Sequence, residues 1–167
     1  MKTHRQLVCC LLQSLAAVSA HGQDIRKMNP PDVARPVAPY SHVAEVPAGT
    51  RMLFLAGQVG YRPDGTLAAG VEEQAVQALE NIRLILAAEG AGPEHIVKLI
   101  FYAAAKPGDM AAIGAKRAEM FGKTAPPPST WIYVSGLARP EYLIEIEAVA
   151  AVPAPGRSRR THANHER

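Results

Sequence analysis

Cysteine is missing from the body of this 167-residue chain: both cysteines, Cys9 and Cys10, fall in the first ten residues. A disulfide framework, a thiolate nucleophile and cysteine-ligated zinc are therefore excluded beyond that point. The Pro-Cys-x-x-Cys element of zinc nucleobase deaminases is absent as well. Aromatics make up 5% of the residues, so the core has to be aliphatic. No apolar run is long enough to span a bilayer as a helix. Excess positive charge is also lacking where the +3 total would suggest it. Residues 28–153 hold 10 Lys and Arg against 13 Asp and Glu, a body charge of −3, and the basic excess sits in the two ends. A mildly acidic body is a poor electrostatic match for a phosphate backbone, so no nucleic-acid partner is expected.

The ends read as appendages. Lys2, His4 and Arg5 precede Leu7–Leu12, and small residues Val18 and Ala20 follow, so residues 1–20 read as a secretory signal cut after Ala20. Translation starting at Met28 is the alternative. The first reading places the protein in the periplasm or outside the cell, without membrane attachment after cleavage, and the second in the cytoplasm. Residues 154–167 are polar and basic without apolar periodicity and read as a disordered tail. One domain, 28–153, remains between them.

Along that domain, Tyr40–Val46 and Arg51–Gly57 flank the turn Pro47-Ala48-Gly49-Thr50 and read as a hairpin. Arg62-Pro63-Asp64-Gly65-Thr66 is a second turn. Val71–Ala88 is the clearest helix: Ala75, Ala78, Leu79, Ile82, Ile85 and Leu86 recur at three and four residues. Glu72 and Glu73 suit its first turn and Gly90 its end. Ile96–Ala104 is a strand, Asp109 caps a helix over Met110–Phe121, and Trp131–Val134 and Leu143–Ala150 are the last strands. The class is α+β, one sheet with two helices, in the order β-β-α-β-α-β-β. Met52-Leu53-Phe54-Leu55-Ala56 and Trp131-Ile132-Tyr133-Val134 are apolar on both faces. Two helices cover one face of a sheet, so a second copy of the chain is expected against the other.

Pro39-Tyr40-Ser41-His42, Leu55-Ala56-Gly57-Gln58, Glu73-Gln74 with Glu80-Asn81-Ile82, Val97-Lys98 and Ile144-Glu145-Ile146-Glu147-Ala148 occur in this order. Together they resemble the Rid family (RidA/YjgF, reactive intermediate deaminases), over residues 35–152. The resemblance implies a chorismate-mutase-like fold and a homotrimer whose sheets form a central barrel, with small-molecule clefts between subunits. It implies hydrolysis of short imines or enamines to a carbonyl compound and ammonia, with no metal or cofactor. It assigns Glu145 to positioning water, Tyr40 to orienting substrate, and Gly57 and Thr130 to backbone contacts in the cleft. The chain departs from the family at Pro128, which stands where an arginine usually grips the substrate carboxylate. Proline has neither charge nor N–H, so an altered substrate is expected. Arg139 and Arg62 are candidate replacements. A non-enzymatic ligand-binding trimer is the alternative, and the ribonuclease activity attached to some members fits the acidic body poorly. On the residues alone, Glu145 and Glu147 could lie on a wetted strand face and Tyr40 could be a packing residue. His42 and His95 lack metal-ligand spacing.

Overall fold

A computed structural model of the chain describes residues 24–152. The expected signal at 1–20 and tail at 154–167 lie outside the described residues.

Alternation along one strand organises the fold. In Ile144–Val152, Ile144, Ile146, Ala148 and Ala150 are buried while Glu145, Glu147 and Val149 between them are half-buried. Successive side chains of a strand point to opposite faces, so one face is core and the other is open. The chain runs β1 (Arg26–Met28), β2 (Val43–Glu45), β3 (Arg51–Gln58), α1 (Gly70–Ala88), a 3-10 turn (Pro93–His95), β4 (Ile96–Ala103), α2 (Ala111–Phe121), β5 (Ser129–Tyr133) and β6 (Ile144–Val152). The main sheet has the order β3-β6-β4-β5. β6 is antiparallel to both β3 and β4, whereas β5 runs parallel to β4 at the edge.

α1 covers the core face. Ala75, Ala78, Leu79, Ile82 and Leu86 are fully buried against Leu99, Phe101, Ile144 and Ile146. Ile85, expected on the same stripe, is 36% exposed, because the face in contact with the sheet is narrower than the apolar run. Gly90, at φ +68°, ends the helix in a conformation that favours glycine. α2 packs on α1 through an ionic hub. Glu80 accepts from Arg83 Nε at 3.0 Å and from Lys116 Nζ on α2 at 2.8 Å, and Lys116 also bonds Glu119 at 3.0 Å. α2 starts one residue later than expected, with Met110 rather than Asp109 as its N-cap and no side-chain bond from that cap, although the Asp109 carboxylate accepts from the Ala111 N–H at 2.8 Å.

One expected pairing is corrected. The turn over residues 47–50 forms, with Gly49 at φ +81°, but β2 does not pair with β3. Its partner is β1, in the register Arg26↔Glu45 to Met28↔Val43, with an Arg26–Glu45 ion pair at 3.3 Å across the ladder. A strand ahead of the hairpin competes for the same edge and takes it.

The open face is bare in the single chain. Phe54 is 79% exposed and Met52 and Ile132 are about 40% exposed, whereas Leu53 and Leu55 between them turn to the core.

Candidate functional site

The carboxylates of β6 belong to the open face. Across that face the register forms transverse rows: Glu145 lies opposite Tyr102, and Glu147 opposite Ile100, whose other neighbour is Thr130. Val149 lies opposite Lys98. β3 borders Glu145 through a bulge. Leu55 pairs with Ala148 and Gln58 with Ile146, so β3 carries one residue more than β6 over that step. Gly57 sits in the bulge and its missing side chain makes room for Glu145. A Cβ there would lie 2.6 Å from Glu145 Cδ and 2.8 Å from Cγ, and would also overlap Oε1. Only glycine admits the Glu145 carboxylate at this place without a shift.

The neighbours of Glu145 make this face polar. The Tyr102 hydroxyl donates to Glu147 Oε2 at 3.2 Å. Burial first, then that bond and the charges of Glu147 and Glu145, push the Tyr102 hydroxyl above the usual tyrosine range. Lys98 Nζ donates to Thr130 Oγ1 at 2.8 Å. Pro128 stands one residue ahead of β5, and its carbonyl accepts from the Leu99 N–H at 3.0 Å. Proline is tolerated there because the first residue of an edge strand owes the ladder no donor. Pro128 therefore has Lys98 beside it.

Tyr40 lies elsewhere. Ser129, Trp131 and Tyr133 alternate onto the helix side of β5, and with Tyr40, Phe101 and Arg117 they line a cavity of about 360 Å³. Thr130 also borders it. The loop carrying Tyr40 is tied down on both sides. The Ser41 hydroxyl donates to the Pro126 carbonyl at 2.7 Å, and the Arg117 guanidinium donates to the Pro39 carbonyl at 2.6 Å. Within one chain, then, Gly57 and Glu145 touch, Lys98 and Thr130 share their face, and Tyr40 stands on the opposite side of the sheet from Glu145. Arg139 is 3.8 Å from Glu141 and packs over the Tyr142 ring at 5.9 Å, on the loop joining β5 to β6. Arg62 pairs with Glu73 at 3.3 Å. Among the described residues no group of three or more metal-ligating side chains comes together, and no helix is long and apolar enough to cross a membrane.

The remaining shared motifs are scaffold. Gln74 is 2% exposed, yet all its polar atoms are used. Its amide donates to the carbonyls of Ala68 (3.2 Å) and Glu141 (3.0 Å) and accepts from the Leu143 N–H at 2.8 Å. It thereby fixes the loop that feeds β6. Asn81 donates to the carbonyls of Val59 at 3.2 Å and Tyr61 at 2.9 Å and holds the chain leaving β3. Gly60 is needed beside it, because a Cβ would lie 2.5 Å from the Gln74 Cα.

Tyr102, Lys98 and Arg117 were not singled out from sequence as site residues. Lys98 was visible as part of a shared motif, but its reach to Thr130 depends on the parallel β4–β5 pairing. Arg117 carries no sequence signal at all: it is one cation on an amphipathic helix.

An α+β domain with two helices on one sheet face, a bare second face, two carboxylates on that face and a glycine opened beneath one of them defines the class by its fold. The comparisons with known proteins specify it. The profile of the family described as Endoribonuclease L-PSP matches residues 32–152. A RutC family protein of Pyrococcus horikoshii is 36% identical over 118 residues, covering 70% of this chain and 89% of that one. A RutC family protein of Aquifex aeolicus is 38% identical over 79 residues, 47% of this chain and 61% of its own length. Among solved structures, YyfB of Yersinia pestis, described as a protein of unknown function of the conserved Rid family, superposes with a TM-score of 0.68. It is 35% identical and is matched over 78% of this chain and 100% of its own. The chain belongs to the Rid/YjgF family, and its RidA-like α+β fold is the one expected.

Proposed function

We propose that this protein is a hydrolytic deaminase of small reactive imines and enamines, retuned away from the substrates that an arginine clamp would select. The observation that carries the reading is Glu145 seated in the space left open by Gly57. A carboxylate on a half-buried strand is costly unless it is used or paired. Among the described residues Glu145 has no hydrogen-bond partner and no cation within salt-bridge distance. In the proposed step the imine reacts as its N-protonated iminium: Glu145 accepts one proton from a water whose oxygen adds to the C=N carbon, giving a neutral carbinolamine. Glu145 then returns that proton to the amino nitrogen, the C–N bond breaks, and the hydroxyl proton passes to the departing ammonia as C=O forms, releasing ammonium and the carbonyl product.

Lys98 supplies the positive charge on this face. As a point charge already bonded to Thr130, it lacks the planar fork of arginine, so it favours substrates with a weaker or singly held anionic group. Arg139, placed beside Glu141, is the second candidate for that charge. The reading takes the bare face as the inner wall of a homotrimer, because Phe54 at 79% exposure needs a cover. Tyr40 then acts between copies, since it and Glu145 lie on opposite faces of one sheet.

Ammonia release from freshly generated 2-iminobutanoate and from an uncarboxylated imine is the test. Glu145→Gln should lower turnover by about a hundredfold or more with the fold unchanged. No acceleration with either substrate class rejects the hydrolase and leaves a binding protein on the same fold.

A further inference from the structure

The outward face of α2 is not built for water. Its exposed residues are Ala111, Ala112, Gly114, Ala115, Ala118 and Glu119, a single charge among alanines and a glycine. A helix turned to solvent normally carries polar side chains on that face. Along it lies a groove of about 460 Å³, lined by Pro39, Met110, Ile113, Ala118, Phe121 and Pro126. Met110, in that lining, is 47% exposed. Gly114 and Gly122 also line the groove, and a Cβ at Gly114 would meet nothing within 4 Å, so the space above the helix is open. Arg117 is the one charged residue in the lining, and its guanidinium already donates to the Pro39 carbonyl at 2.6 Å. Neither Tyr40 nor Thr130 borders this space. An open apolar groove of this kind calls for an apolar cover.

The chain holds such a cover within reach. The first described residue, Asp24, shares a small cavity with Ile25, Thr124 and Ala125. Thr124 and Ala125 lie between Gly122 and Pro126 of the groove. The Lys27 ammonium is 6.0 Å from the Phe121 ring, so the start of the described chain passes the end of α2. Upstream, residues 6–20 carry no charge, and Leu7-Val8-Cys9-Cys10-Leu11-Leu12 is their most apolar stretch. Leu12 precedes Asp24 by 12 residues. A chain of that length reaches up to about 40 Å when extended, whereas a helix of α2's length is about 16 Å long. A segment tethered beside a groove meets it as an intramolecular partner, so a weak contact is enough to fill it. Residues 154–167, at the other end of the chain, are polar and basic and offer no such match.

We propose that, in the chain that still carries residues 1–20, Leu7–Leu12 packs into the groove on α2 of the same copy. Docking involves neither Glu145 nor turnover, and cleavage after Ala20 would bare the groove.

Cys9 and Cys10 are the only cysteines of the chain and both lie in the apolar run, so their thiols report on it. The experiment follows alkylation of the reduced, full-length protein by iodoacetamide, beside Gly114→Arg, which fills the groove from an open position. Docked thiols should react at least about tenfold more slowly in the natural chain than in Gly114→Arg, because reactivity follows access. Equal rates overturn the proposal. A second variant, Ala118→Cys, keeps the test independent of how Gly114→Arg folds. A short bismaleimide should then join position 118 to Cys9 or Cys10 within one chain, read as a monomer-sized product on a denaturing gel and as a linked peptide by mass spectrometry. Adding Leu11→Asp and Leu12→Asp should slow that joining at least about tenfold, because an unpaired carboxylate is costly to bury. No joining, or joining only between chains, overturns the proposal. So does joining at a rate that the Leu11 and Leu12 changes leave unaltered, since that shows a tether without docking.

Discussion

Replacing Gly57 by alanine tests the central contact of the open face. The added Cβ would stand 2.6 Å from Glu145 Cδ and 2.8 Å from Cγ, well inside ordinary carbon contact. Gly57 has no positive φ, so the substitution brings no backbone strain of the left-handed kind and its cost falls on the collision. Overpacking of one carbon into a filled space costs about 1–3 kcal/mol. The Glu145 side chain is the mobile party, so the lower half of that range is expected. For a domain of this size that is a fall of roughly 3–8 °C in melting temperature. Displacing the carboxylate should also lower any Glu145-dependent turnover by about the same factor as Glu145→Gln. The decisive assay is a double-mutant cycle by urea denaturation, comparing Gly57→Ala in the natural chain and in Glu145→Ala. With the glutamate truncated there is nothing left to collide with, and the cost should fall to within about 0.5 kcal/mol of zero. An equal cost in both backgrounds would show that Gly57 answers to the bulge itself rather than to Glu145, and the account of the cleft would be refuted.

The Glu80 hub predicts acid sensitivity. Hydrogen bonds from Arg83, with those and the charge from Lys116, hold the Glu80 carboxyl at about 2, below its usual 4.5. Its stabilisation is therefore complete above about pH 4.5 and is lost as pH falls towards 2. With the side chain 27% exposed, screening leaves about 1–2 kcal/mol of it. Glu80→Gln should flatten the fall in urea midpoint between pH 5 and pH 2.5; unchanged pH dependence would reject the hub. Gln74→Ala strips the partners from two backbone carbonyls and one N–H around a buried site and should cost about 2–4 kcal/mol. Limited proteolysis should then cut first within residues 134–143, and cleavage elsewhere would mean that Gln74 does not hold that loop.

Local chemistry made much of this legible in advance. The α1 stripe, Ile85 aside, and the Gly90 stop are short-range signals, and each forms where the residues imply. The alternation of β6 is equally local, which is why Glu145 and Glu147 could be placed on one face before the sheet was known. Pairings were less legible. Val43–Glu45 met β1 rather than β3 because a three-residue strand, Arg26–Met28, carries almost no periodic signal of its own. The cavity around Arg117 was invisible for a related reason. It assembles a loop, a helix face and an edge strand from residues 38–133, and no spacing rule joins them. Ile85 shows the opposite error, in which an apolar periodicity outruns the surface available to cover it.

In β6, core and cleft use alternate residues of the same strand. Ile144, Ile146 and Ala148 hold the helices while Glu145 and Glu147 face the other way. A single inserted or deleted residue would exchange the two sets and drive both carboxylates under α1. Divergence in this protein is thereby channelled. The open face is free to change its chemistry one side chain at a time, whereas changes of chain length are confined to places where parity does not matter. The loop over residues 134–143, pinned by Gln74 at the point where it re-enters the sheet, is such a place: it can lengthen without turning Glu145 away from Gly57.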